Sequence, residues 1–154
     1  MSRMTTETTT ESGAPLPKFE LAFPGPLRDT LVAAVLSGAK TSTTGLLAGY
    51  ELENEPLPQP GDRSVLVDSE DRPVAVVEIS SVRVVQLSDV DLAHAVDEGE
   101  GHTTIEDWRA DHETFWHGPE SRAELGADFT VTDSTPVVLE RFTVVERLDG
   151  AAGG

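Results

Sequence analysis

The stretch "RSVLVDSEDRPVAVVEISSVRVVQL", residues 63–87, restricts the available folds more than any other part of this chain. It reads as two β-branched runs, about 64–68 and a long one at about 74–86, around a Ser-Glu-Asp turn. Upstream, "FPGPLRDTLVAAVLSGAK" leaves a Pro-Gly-Pro turn and places Leu27, Leu31, Val32, Val35 and Leu36 at helical spacing. That predicts a helix over about 26–37, with Asp29 favouring its N-terminal dipole and Gly38 as its C-cap. "KFELAF" before it reads as a short strand, and the β-branched "TSTTGLL" after it can enter another. "ELENEPLPQPGD", with three prolines and a glycine, must be a loop.

Beyond the paired runs, "SDVDLAHAV" reads as a short helix opened by Ser88 as N-cap. "TTIEDWRADHETFW" is a second, amphipathic helix, capped by Thr103 or Thr104, with Ile105, Trp108, His112, Phe115 and Trp116 on one side. "VVLERFTVVERL" supplies a closing strand near 136–147. The order is strand, helix, several strands, two helices, strand. Without regular βαβ alternation, it argues for an α+β fold with helices around a small curved sheet or barrel.

Length sets one domain and one core: 154 residues, 38% of them hydrophobic. The Thr/Ser-rich start has no face to bury, so residues 1–16 are expected to be a disordered N-terminal tail. Residues 17–148 are expected to form the domain, and 149–154 a flexible C-terminal tail. No run suits a membrane span and no segment reads as a targeting signal, so a soluble, cytoplasmic protein is expected. Cysteine is absent, which removes disulfides, thiolate metal sites and a cysteine nucleophile.

The formal net charge is −17, from 11 basic and 28 acidic residues. Such a surface repels a long polyanion, so double-stranded DNA is not an expected partner. A small ligand or a short stretch of RNA fits better, through a compact positive pocket. Charge of this size also serves solubility alone.

Lys40 is the only basic residue between Arg28 and Arg63. It stands at a helix–strand junction after Gly38, where a backbone can approach a ligand closely. Its ammonium could hold a phosphate or polarise a carbonyl, and Thr43 could be a hydroxyl nucleophile activated by it. The structural reading is an exposed lysine at a helix end followed by strand threonines, and spacing alone favours it. Asp97, Glu98 and Glu100 crowd the loop "DEGEG", where glycines let carboxylates converge for acid–base work. An acidic solvated loop is the structural counterpart, and it is the commoner case. Trp108, His112 and Trp116 could stack on a base, although such a face is more often core. The spacing of His94, His102 and His112 matches no metal pattern. Glu78, Arg83 and Arg141 lie within strands, where a structural role comes first, the arginines pairing with strand carboxylates.

Together these residues resemble one family. Gly38-Ala39-Lys40 with Thr43 is similar to the Gly-x-Lys-x-x-(Thr/Glu) motif of ASCH domains. "PGD" before a strand and then "EGEGHTTIEDWRADHETFW" resemble the later signature of one bacterial branch. The resemblance spans about residues 20–146. It implies a PUA-like small β-barrel flanked by helices, with a cleft around the lysine for RNA or a nucleoside. Gly38, Thr41, Thr44, Trp108, His112 and Trp116 are the candidate ligand-binding residues there. Two activities are associated with such domains, ribonuclease on single-stranded RNA and amidohydrolase on N4-acetylcytidine. Under the second, the catalytic set maps to Lys40, Thr43 and either Glu98 or Glu100. Neither activity requires a metal or other cofactor, and a non-catalytic module that binds a modified base is the remaining expectation. Many ASCH domains have Glu and Arg where this chain has Thr43 and Gly45, which weakens the polyanion reading.

Overall fold

The computed structural model describes residues 16–148. The tails expected at 1–16 and 149–154 therefore lie, apart from Leu16, outside the described residues. Five strands form one mixed sheet: β1 (Lys18–Phe19), β2 (Ser42–Leu46), β3 (Arg63–Val67), β4 (Pro73–Gln86) and β5 (Pro136–Arg147). Their order is β1-β3-β4-β5-β2. Only β1 and β3 run parallel; the other pairs are antiparallel. Register shifts at Leu66/Val67, Val76/Val77 and Ile79/Ser81 interrupt the ladders. Such bulges bend and twist a sheet, and this one curls into a half-barrel flanked by helices. The α+β, PUA-like expectation holds.

Helix α1 (Pro26–Ser37) starts with proline at its first position and ends at Gly38, whose φ of 88° is left-handed. Its Leu31, Val32 and Val35 pack with Leu66, Val77, Ile79 and Phe142 in a first core cluster. The β-branched alternation of β3 and β4 supplies the sheet side of that cluster. Two short helices are absent from the pattern reading: α2 (Leu47–Leu52) and α5 (Pro119–Leu125). Leu47 thus begins a helix rather than extending β2, and the first residues of the expected loop at 51 are helical. Six or seven residues carry fewer than two helical turns, too little periodicity to read.

Helix α3 (Leu92–Asp97) is capped by Asp91, whose carboxylate accepts from the His94 N–H. Ser88 is not that cap. It lies in a single 3₁₀ turn at Leu87–Asp89 that precedes the helix. Helix α4 (Ile105–Trp116) is capped by Thr104, which accepts from the Asp107 N–H. Its Trp108 and Trp116 join Leu46, Leu87, Val90, Ala95, Val137 and Leu139 in a second core cluster on the other side of the sheet. No described helix is long and apolar enough to cross a membrane.

The strand charges settle as follows. Glu78 faces outward and pairs with Arg63 at 2.9 Å. Arg83 meets Asp91 and Arg141 meets Asp97. Both arginines therefore reach carboxylates at the two ends of α3, not strand carboxylates as expected.

Candidate functional site

The junction from α1 into β2 and the loop after α3 are pressed together. The Thr41 N–H donates to Asp97 O at 2.8 Å and the Lys40 N–H to Ala34 O at 3.1 Å. Gly99 has a φ of +72°, and a Cβ there would stand 2.5 Å from Ala39 O and 2.9 Å from Lys40 Cα. Only glycine fits, which explains physically why "EGEG" sits against "GAK".

Lys40 is turned inward, with its side chain 1% exposed. An ammonium has three donors, and each meets an acceptor: Ser42 O at 2.8 Å, Glu98 O at 3.3 Å and Glu100 Oε2 at 3.4 Å. The exposed helix-end lysine favoured by spacing is therefore not what forms. Both loop glutamates approach Lys40, in different ways. Glu100 offers its carboxylate from the partly exposed rim, whereas Glu98 offers its backbone carbonyl and sends its side chain inward.

The Glu98 carboxylate is 1% exposed and lies among three partners. His112 Nε2 is 3.0 Å from Oε1, while Thr44 Oγ1 at 2.5 Å and His94 Nε2 at 3.2 Å approach Oε2. Burial raises the pKa of this group. The hydrogen bonds from His112 and His94 and the charges of His112 and Lys40 overcome that and hold it well below the usual carboxylate range. His112 shows the converse. Burial lowers its pKa, but the bond and charge of Glu98 outweigh burial and the net direction is up. Its Nδ1 also donates to Trp108 O at 2.9 Å. With one ring nitrogen on a carbonyl and the other on an ionised carboxylate, His112 must carry both protons. It is an imidazolium paired with Glu98.

His94 is different. The single Thr44 hydroxyl proton goes to Glu98, so Thr44 accepts from His94 Nε2 at 2.8 Å. His94 is then the neutral Nε2–H tautomer. Its Nδ1 is buried without a partner, and a proton there would be an orphaned donor.

Strand geometry separates the four hydroxyl residues of "TSTT". Side chains alternate faces along a strand. Ser42 Oγ bonds His94 O at 3.0 Å and Thr44 bonds Glu98, so both face α3 and α4. Thr43 lies opposite Glu140 on the other face, and the structure brings Thr44, not Thr43, to the carboxylate. Thr41, before the strand, contacts Asp97 O at 3.5 Å. Gly38 acts as the helix cap described above.

Trp108 is 0% exposed and Trp116 5%. Neither offers an open ring face, so their expected stacking on a base gives way to a core role. Trp108 instead lies under His112, with ring centroids 4.2 Å apart and planes at 27°. That stack fixes the imidazolium laterally. Glu98, Glu100 and His112 do bring potential metal-ligand atoms within 4.8 Å of one another. Of these, Glu100 already meets the Lys40 ammonium and Glu98 meets His112 Nε2. Sequence reasoning passed over His94 as a partner of this cluster. Its only signal is the i,i+4 relation to Glu98 across the end of α3.

A half-barrel α+β domain with one lysine enclosed between a helix–strand junction and a Glu-Gly-Glu-Gly loop defines the class of protein. The ASCH domain family model matches residues 20–146. The chain belongs to that family. An ASCH domain from Lactobacillus crispatus JV V101 is 26% identical with a TM-score of 0.73, over 95% of this chain and 87% of that one. A protein from Enterococcus faecalis V583 shares the fold at 24% identity and a TM-score of 0.77, over 90% and 81%. No curated protein sequence matches this chain.

Proposed function

We propose that the Lys40 cluster is the active site of a hydrolase acting on a nucleoside or on RNA, and that it opens an amide on a modified base. The carrying observation is the Thr44 hydroxyl, 2.5 Å from a buried carboxylate that His112 holds in place. A hydroxyl within reach of a base, itself oriented by a third group, is the geometry of an activated nucleophile. Thr44 Oγ1 attacks the acyl carbonyl and its proton passes to Glu98 Oε2. The ammonium of Lys40 balances the developing oxyanion as Glu100 swings away from it. The proton on Glu98 then goes to the leaving amine, and water releases the acyl group from Thr44 by the same route. The role expected of Thr43 passes to its neighbour.

A ribonuclease reading has one observation in its favour. The Glu100 side chain is 25% exposed and stands on the Lys40 ammonium at the rim. There it could take a 2′-hydroxyl proton while Lys40 balances the phosphorane. The net charge of −17 counts against a long RNA, and the burial of both tryptophans counts against a stacking module.

The test is turnover of N4-acetylcytidine and, separately, of a single-stranded RNA by wild type, Lys40→Ala and Thr44→Val. Deacetylation by wild type that both variants lose is the expected result. RNA cleavage lost with Lys40 would support the second reading instead. Deacetylation that survives Thr44→Val would remove Thr44 as nucleophile, and no wild-type turnover would remove the proposal.

A further inference from the structure

The opposite face of β2 carries a second polar pair that the chemistry above does not use. Glu140 on β5 is 5% exposed, and no positively charged side chain bonds it among the described residues. Its Oε2 accepts from the Tyr50 hydroxyl at 2.6 Å, and no partner of Oε1 is found among the described residues. Tyr50 comes from α2 and lies over Gly45, its Cε2 3.7 Å from where a Cβ would stand. Thr43 and Val82 flank Glu140 in register on the neighbouring strands.

This patch is not closed core. One residue pair along, Phe142 is covered by α1. On the other side Tyr50 covers Gly45. Between them Thr43 and Val82 are only half-buried, and Val84 is 46% exposed. Val82, packed at the edge of the first core cluster, and the exposed Val84 thus adjoin one carboxyl group whose orientation Tyr50 fixes.

We propose that this face is a base-binding subsite in which the Glu140 carboxyl, in its neutral form, pairs with the donor–acceptor edge of a pyrimidine. With the Tyr50 proton on Oε2, that oxygen is the carbonyl acceptor and the Oε1 hydroxyl is the donor. Side by side they match a ring N–H next to a carbonyl, or a ring nitrogen next to an amino group. Burial pushes the Glu140 carboxyl up from its usual range, opposed only by the Tyr50 bond. The groups facing it are Thr43 from β2, Val82 from β4 and Tyr50 from α2; Tyr50 alone of these titrates, and burial beside Glu140 raises its pKa too. The subsite rests on the nucleoside reading for its ligand class, yet it lies across the sheet from Lys40. In a strand-like ligand it would hold a base other than the one being hydrolysed.

The test uses uridine, which has no acyl group, and 3-methyluridine, whose methyl blocks the ring N–H. Binding is read by calorimetry on the full chain. Uridine is expected to bind and 3-methyluridine to bind at least about tenfold more weakly. Tyr50→Phe should weaken uridine about tenfold, and Glu140→Leu about a hundredfold, with melting temperatures checking that each variant folds. The decisive pair is wild type and Glu140→Gln. An amide also offers a donor beside an acceptor, so Glu140→Gln should bind uridine like wild type wherever Glu140 is neutral, at the acid end of the titration. Wild-type affinity should fall with rising pH as Glu140 ionises, while that of Glu140→Gln should not. Affinity that rises with pH, or that survives Glu140→Leu, would overturn the subsite. So would affinity that falls in Lys40→Ala but not in Glu140→Leu, which would put the base in the other site. Failed deacetylation with intact, pH-dependent uridine binding would sink the proposed reaction and leave this subsite standing.

Discussion

Gly99 and Gly101 flank Glu100 and both have positive φ, +72° and +90°. Alanine at either position must adopt a left-handed backbone, at about 1–2 kcal/mol. The positions differ in what a Cβ would meet. At Gly101 nothing lies within 4 Å. At Gly99 the Cβ would be 2.5 Å from Ala39 O, 2.7 Å from Ala39 C and 2.9 Å from Lys40 Cα, all backbone atoms that cannot rotate aside. Ordinary contact needs roughly 3.5 Å, so the loop must withdraw by about 1 Å. That movement stretches the bond from Lys40 Nζ to Glu98 O, already 3.3 Å, and the one from Thr41 N to Asp97 O. Overpacking of this kind adds about 1–3 kcal/mol. Gly101→Ala is thus expected to lose about 1–2 kcal/mol, and Gly99→Ala about 2–5 kcal/mol. Urea denaturation at neutral pH, with slopes compared to ensure one transition, measures both. The comparison cancels the left-handed cost and isolates the contact. Equal losses in the two variants would show that the loop does not depend on its seat against Lys40, and the account of the junction would fail.

The Glu98–His112 pair predicts a pH profile. Glu98 has a folded pKa below its usual 4.5, so its contribution is present above that value and fades as pH falls through the folded value. His112 has a folded pKa above its usual 6.5, so its contribution is complete below 6.5 and is lost as pH rises through the folded value. Stability from the pair should therefore be greatest between about pH 4.5 and about pH 6.5, and His112→Gln should flatten the alkaline arm in melts carried above about pH 6.5. Trp108→Ala, emptying a fully buried site beside His112, should cost about 3–5 kcal/mol in denaturant, and a loss below about 1 kcal/mol would mean that the ring is not core.

Several elements were legible because their signals are local and repeated. Helix α1 carries five apolar residues at helical spacing between a proline start and a glycine stop, and it forms at the expected place. The strand ranges read at 64–68 and 74–86 fall within one residue of β3 and β4. By contrast "KFELAF" yields only Lys18–Phe19 as strand, because a pairing partner, not propensity, decides how far an edge strand runs. Ser88 and Asp91 are both acceptable caps, and the choice fell to Asp91 once α3 docked with His94 inward. The site shows the same division. That Lys40 and the Glu98/Glu100 loop belong together came from the family resemblance, since 58 residues separate Lys40 from Glu98 and no spacing rule spans that distance.

The sequence by itself determined an α+β chain with no thiol chemistry and a single cation beside a run of hydroxyls. Periodicity, composition and turn residues are properties of neighbouring positions, and they survive without a partner. The tertiary structure alone decided which hydroxyl meets the carboxylate. Thr43 and Thr44 are chemically alike and adjacent, but the pairing of β2 with β5 sends one to each face of the sheet. It also decided that Lys40 would be enclosed instead of solvated, and that His112 would be a charged partner of Glu98 rather than a neutral core ring. Those outcomes depend on desolvation and on charges brought together from distant positions, and neither quantity exists until the chain has folded.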